Sequence, residues 1–159
     1  MKILIIGYGS PIRGDDALGP LVADRLENTG VPAGVEVISR HILTAELAAD
    51  LADKDRVIFL DAAVDAEPGE VSCRRLAPDA NAISTMAHFL DPRELLAWCE
   101  TLYGRVPESF LISAGGDSFD YANYDLTPIA EIAMGKMIDW VDRLMTSEFA
   151  VGEADLFSG

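Results

Sequence analysis

Hydrophobic and polar positions change rhythm several times along this chain of 159 residues. Residues 2–7, KILIIG, form an unbroken apolar run, the pattern of a strand buried on both faces. From Ala17 onward Leu18, Leu21, Val22 and Leu26 recur at helical spacing until Asn28, Thr29 and Gly30 close the segment. Residues 35–39, VEVIS, alternate like a strand. Across 44–55 Leu47, Ala48 and Leu51 share one helical face behind Thr44, which predicts a capped helix. RVIFLDA at 56–62 predicts a second buried strand, and EVSCRRL at 70–76 a half-exposed one. The strongest helix signal covers 91–104, with Asp91 as N-cap, Pro92 at the first helical position, Glu94 completing a capping-box-like pair and Gly104 as the stop. SFLISAG at 109–115 is another buried strand, and Thr127 and Pro128 open a last helix that reaches Met145.

Strands that alternate with helices predict one three-layer α/β domain. Its core would be a mostly parallel, twisted sheet of about five strands with helices on both faces. The domain would span residues 1–147; residues 148–159 carry no periodicity and read as a loose acidic tail. There is no internal repeat and no linker. In such sheets ligands bind beyond the carboxyl ends of the strands, so the residues that follow each strand matter most.

Composition narrows the partners. A formal charge of -15 leaves no basic stripe for nucleic acid or for an anionic membrane surface. No apolar run reaches membrane-spanning length, and the first strand leads straight into a glycine loop, which is read as core and not as a secretion signal. Cys73 and Cys99 are far apart and form no CxxC pair, which points to reduced, buried thiols and a cytoplasmic setting.

The loop after the first strand, IIGYGSPIRGDDALG at 5–19, has the outline of a phosphate cradle. Gly7 and Gly9 fit a dinucleotide fingerprint, but its sixth position is Ile12, and no Gly-Lys-Ser/Thr follows. Pro11 removes a backbone donor, while Asp15 and Asp16 occupy the place an anion would need. Asp15 suits the N-cap of the following helix and leaves Asp16 free to face the crevice; both acids also fit a plain capping role. Asp61 ends the second buried strand, and Asp65 reads as a turn residue of the same loop. His41 and His88 both precede helices. Two aspartates and a histidine meeting in one crevice would suit a borderline metal such as nickel or zinc.

These pieces together resemble the nickel–iron hydrogenase maturation proteases. The loop at 5–19 is similar to that family's signature, VIFLDAA and HFLDPRELL continue the likeness, and the element order matches over about residues 1 to 145. The resemblance implies a phosphorylase/hydrolase-like α/β fold and an endopeptidase that removes the C-terminal extension of the hydrogenase large subunit after nickel insertion. The metal-contacting and catalytic set would be Asp16, Asp61 and His88, with nickel supplied by the precursor protein. Gly9, Ser10 and His41 would contact substrate, and SRHILTAELAADL at 39–51 is similar to the branch serving cytoplasmic bidirectional or NAD-coupled hydrogenases. The partner would be the large-subunit precursor, met by a monomer. Where the family has asparagine after the second glycine this chain has Ser10, which can still bond to the turn backbone. Either the metal or a carboxylate would activate water. The alternative is a non-catalytic, nickel-checking or chaperone-like module of the same fold.

Overall fold

The computed structural model describes residues 1–10, 14–81, 90–116, 126–146 and 157–158. Strands β1 (Ile3–Tyr8), β2 (Val35–Arg40), β3 (Arg56–Pro68), β4 (Val71–Leu76), β5 (Glu108–Gly115) and β6 (Phe157–Ser158) form one sheet in the order β2-β1-β3-β5-β4-β6. Pairings among β2, β1, β3 and β5 are parallel; β4 runs antiparallel to β5 and to β6. Helices α1 (Leu18–Thr29), α2 (Ala48–Leu51), α3 (Pro92–Tyr103) and α4 (Pro128–Thr146) cover it.

Strand alternation explains why apolar runs are needed. In β1, Ile3 and Ile5 join one core with Ile58, Leu60, Phe110 and Ile112, packed by residues of α1 and α4 such as Val22 and Met137. Leu4 and Ile6 point the other way, into a second core with Phe59, Leu51, Leu95 and Leu96 from the side of α2 and α3. Both faces of the central strands are dry, as the uninterrupted apolar pattern requires. Among the described residues no helix is long and apolar enough to cross a membrane.

Several boundaries move. Over 44–55 the chain makes a 3-10 turn at Ala45–Leu47 and then only the short α2, and Thr44 makes no side-chain cap bond. The second buried strand does not stop at Ala62: β3 runs on to Pro68, with a register shift after Ala63. It is drawn across the end of β5, where Gly69 N–H donates to the Gly115 carbonyl and Gly115 N–H to that of Glu70. A Cβ on Gly115 would lie 2.0 Å from the Glu67 carbonyl oxygen, so the crossing demands glycine there. Asp65, expected in a loop, therefore falls within β3. Of the tail, Phe157–Ser158 pair with Ser72 and Cys73 at the outer edge of β4.

Candidate active site

In this strand order the connection from β1 leads out to β2 on one side, while β3 lies on the other. The carboxyl ends of β1 and β3 therefore flank a topological switch point, where α/β sheets open a crevice. The register pairs Gly7 with Leu60, so Tyr8, the last residue of β1, stands beside Asp61, where β3 runs on past it.

Glycines set the approach of the first loop. A Cβ on Gly7 would sit 2.2 Å from the Gly19 carbonyl oxygen, and one on Gly19 would sit 2.4 Å from that of Leu60, so α1 rests directly on the sheet. Gly9 has φ +144, and its Cβ would lie 2.1 Å from the Asp16 carbonyl oxygen. The turn folds Asp16 back over itself: Ser10 N–H donates to Asp16 Oδ2 at 2.9 Å. Asp16 remains half-buried, held by that bond and not simply free, with the rest of its carboxylate beside the crevice.

Asp15 does not cap α1. It sits in a 3-10 turn, Gly14–Ala17, and α1 begins after Ala17 with no side-chain cap. Its side chain is fully buried and accepts from Thr127 N–H at 2.9 Å and from the Thr127 hydroxyl at 2.8 Å. Thr127 Oγ1 in turn accepts from Ala130 N–H, at the start of α4. Asp15 thus anchors the far helix, and Asp16 is the one of the pair whose charge acts on Asp61.

Asp61 accepts from its neighbour's N–H, Ala62, at Oδ1 and 2.8 Å. Burial pushes its carboxyl up to about 7; the nearby Tyr8 phenol and the Ala62 N–H pull it down, and the charges of Asp16 and Asp91 push it up again. Burial and Asp61 likewise raise the Tyr8 phenol well above its ordinary value. Asp91 caps α3 as expected, accepting from Arg93 N–H at 2.8 Å. It also faces the crevice electrostatically, a second role its capping pattern did not reveal.

His88, Pro11 and Ile12 lie outside the described residues. His41 stands exposed just beyond β2, whose last residue, Arg40, accepts from Gly9 N–H at 3.1 Å; that places His41 on the same sheet edge as the acids. Among the described residues no three His, Cys, Asp or Glu side chains come together as a metal cage, so these residues offer a cation two carboxylates, Asp16 and Asp61. Neither thiol competes as a nucleophile. Both are buried, burial pushes Cys73 up to about 12, and Cys99 donates to the Arg105 carbonyl. A pocket of about 340 Å³ lies apart, between β4 and the first turn of α3, lined by Arg74, Arg75 and Arg93; Arg75 pairs with Glu108 and Arg93 with Asp91.

No family model matches the chain. It is 28% identical over 151 residues to a provisionally named hydrogenase maturation protease of Methanocaldococcus jannaschii, covering 92% of this chain and 95% of that one. It is 34% identical over 65 residues to the hydrogenase 2 maturation protease of Escherichia coli, 40% of each chain. The solved structure of the hydrogenase maturating endopeptidase HybD from E. coli superposes with a TM-score of 0.77 at 25% identity, over 89% of this chain and 90% of that one. Over nearly its whole length the chain resembles hydrogenase maturation proteases in sequence and fold, and it is a peptidase.

Proposed function

We propose that this peptidase removes the C-terminal extension of the large-subunit precursor of a nickel–iron hydrogenase, and that nickel carried by the precursor is the feature it recognises. The observation that carries this reading is the convergence of Asp16 and Asp61 from separate elements at the switch point, with Asp91 adding a third negative charge nearby. Such crowding is unfavourable in the free protein and is relieved by a cation, so a metal-loaded partner is favoured over an empty one. His88 is assigned as the nitrogen donor that completes the set.

Hydrolysis requires a water to lose a proton and the departing amine to gain one. Asp61, held near neutrality, is the described residue suited to that exchange, and Asp16 to holding the cation. Docking the nickel beside these acids would bring the adjoining peptide into reach and supply orientation. Gly9, Ser10 and His41 would line the path of the precursor chain. The protein acts as a monomer that pairs transiently with its substrate in the cytoplasm, where Cys73 and Cys99 stay reduced.

The test is to mix the protein with nickel-loaded and nickel-free precursor and follow the mass of the large subunit. The loaded precursor should shorten, the empty one should not, and Asp16→Asn should abolish the shortening. An intact loaded precursor, or equal cleavage of both forms, overturns the reading.

A further inference from the structure

We propose that Arg74, in the pocket between β4 and the first turn of α3, binds a carboxylate on the polypeptide of the precursor. The inference rests on the substrate reading given above.

Strand register builds a polar lane from the crevice to this pocket. Asp61 pairs with Ser113 of β5, and Ser113 with Ser72 of β4. Residues directly opposite share a face of the sheet, so these three stand on one side, and the two hydroxyls meet at 3.1 Å. Arg74, two residues on from Ser72, stands on that same side; its partner in β5, Leu111, packs in the core with Leu95 and Leu96 of α3. Two strand spacings across and two residues along place Arg74 about 12 Å from Asp61, a span that an extended chain covers in about four residues. The hydroxyls of Ser113 and Ser72 can donate to or accept from the backbone of such a chain on its way.

The pocket at the end of the lane suits a single carboxylate. It measures about 340 Å³, and Arg74, Asp79 and Arg93 stand in its wall. The segment after β4 is tied to α3 there: Asp79 N–H donates to the Arg93 carbonyl at 3.0 Å, and Asp79 Oδ1 accepts from Asn81 N–H at 2.9 Å. Arg93 is engaged with Asp91 through Nε and Nη2. Arg75 turns to the other face, toward Glu108 and the Phe110 ring. Arg74 is exposed and, among the described residues, makes no ion pair or hydrogen bond. In a chain of formal charge -15 it presents a guanidinium fork that matches the two oxygens of a carboxylate. The carboxylates of Asp79 and Asp91 leave room for one further negative charge and disfavour the double charge of a phosphate.

The probe is a capped pentapeptide with one central glutamate, titrated into the isotope-labelled full chain and followed by NMR. It should shift the Arg74 side-chain Nε–H resonance and the amides of Ser72 and Ser113, saturating by roughly 20 mM. The same peptide with glutamine in place of glutamate should shift none of them, and Arg74→Glu should abolish the response. With nickel-loaded precursor Arg74→Glu should raise KM about tenfold, with kcat within about twofold and Tm unchanged. Arg25→Glu, exposed on α1 over the opposite face of the sheet, makes the same change in net charge and should leave KM as in wild type. The proposal is overturned by the absence of a saturable shift, or by equal shifts from the glutamine peptide or from inorganic phosphate. Wild-type KM in Arg74→Glu, or an equal rise in Arg25→Glu, overturns it as well. If the wild-type protein trims nothing, the substrate reading fails instead, and the peptide titration still decides whether Arg74 takes a carboxylate.

Discussion

The two ends of the buried apolar run in β3, Arg56 and Asp61, treat charge in opposite ways. At the amino end Arg56 is 3% exposed, yet its charge is matched: Glu108, its register partner on β5, receives the guanidinium, Nη1 donates to the Leu144 carbonyl of α4, and the Phe110 ring lies 5.4 Å away. Five residues on, Asp61 stands among acids of its own sign, with the Ala62 amide as its donor. One end locks a helix to the sheet. The other holds a carboxylate in a state that favours the arrival of positive charge. Satisfied charge at the amino edge and strained charge at the carboxyl edge separate stability from chemistry along a single strand.

The largest way to break the contrast is at the amino end. Glu108→Ala removes the carboxylate from a guanidinium that cannot reach bulk water, and α4 loses part of its hold on the sheet. Breaking one side of such a pair should cost about 3 kcal/mol, a fall in Tm on the order of 8 °C, read from chemical and thermal unfolding. Arg75, which also reaches Glu108 at 3.4 Å, would lose its partner too. A loss below about 1 kcal/mol would mean that this end is no better matched than an exposed surface pair.

The carboxyl end should respond with the opposite sign. The Asp61 carboxyl moves from an ordinary 3.8 to about 7 on folding. Between those values the folded chain holds a proton that the unfolded chain has released, so this group's contribution to stability declines as pH rises and opposes folding fully above about 7. Asp61→Asn removes the penalty. Its stability relative to wild type should be near zero at about pH 4 and grow to roughly 2 kcal/mol by about pH 8, discounted for residual solvent around the side chain. Urea unfolding at several pH values checks it; a variant less stable than wild type at high pH would show that Asp61 is held comfortably.

Local signals carried much of this from the sequence. Asp91, Pro92 and Gly104 mark α3 at both ends, and the structure gives Asp91 bonded to Arg93 N–H and Gly104 in the left-handed region at φ 73. Asp61 was legible because a buried apolar run ended on an acid. What stayed hidden depends on distant partners. The continuation of β3 to Pro68 is imposed by the end of β5, and Asp15 answers to Thr127, 112 positions away.

The smallest test is the sharpest, because it compares neighbours. Asp15 and Asp16 are both acids in the same turn, and sequence spacing cannot rank them. Asp15 is fully buried and satisfies the amide and hydroxyl of Thr127, so Asp15→Ala leaves two donors at the head of α4 short of an acceptor. That should cost on the order of 1.5 kcal/mol in unfolding experiments. Asp16→Asn keeps a side-chain oxygen for Ser10 N–H and relieves repulsion at the crevice, so its stability should lie within about 0.5 kcal/mol of wild type while trimming is lost. If instead Asp16→Asn unfolds the chain and Asp15→Ala does not, the two acids have exchanged roles. The crevice would then be built around the carboxylate that here ties the sheet to its last helix.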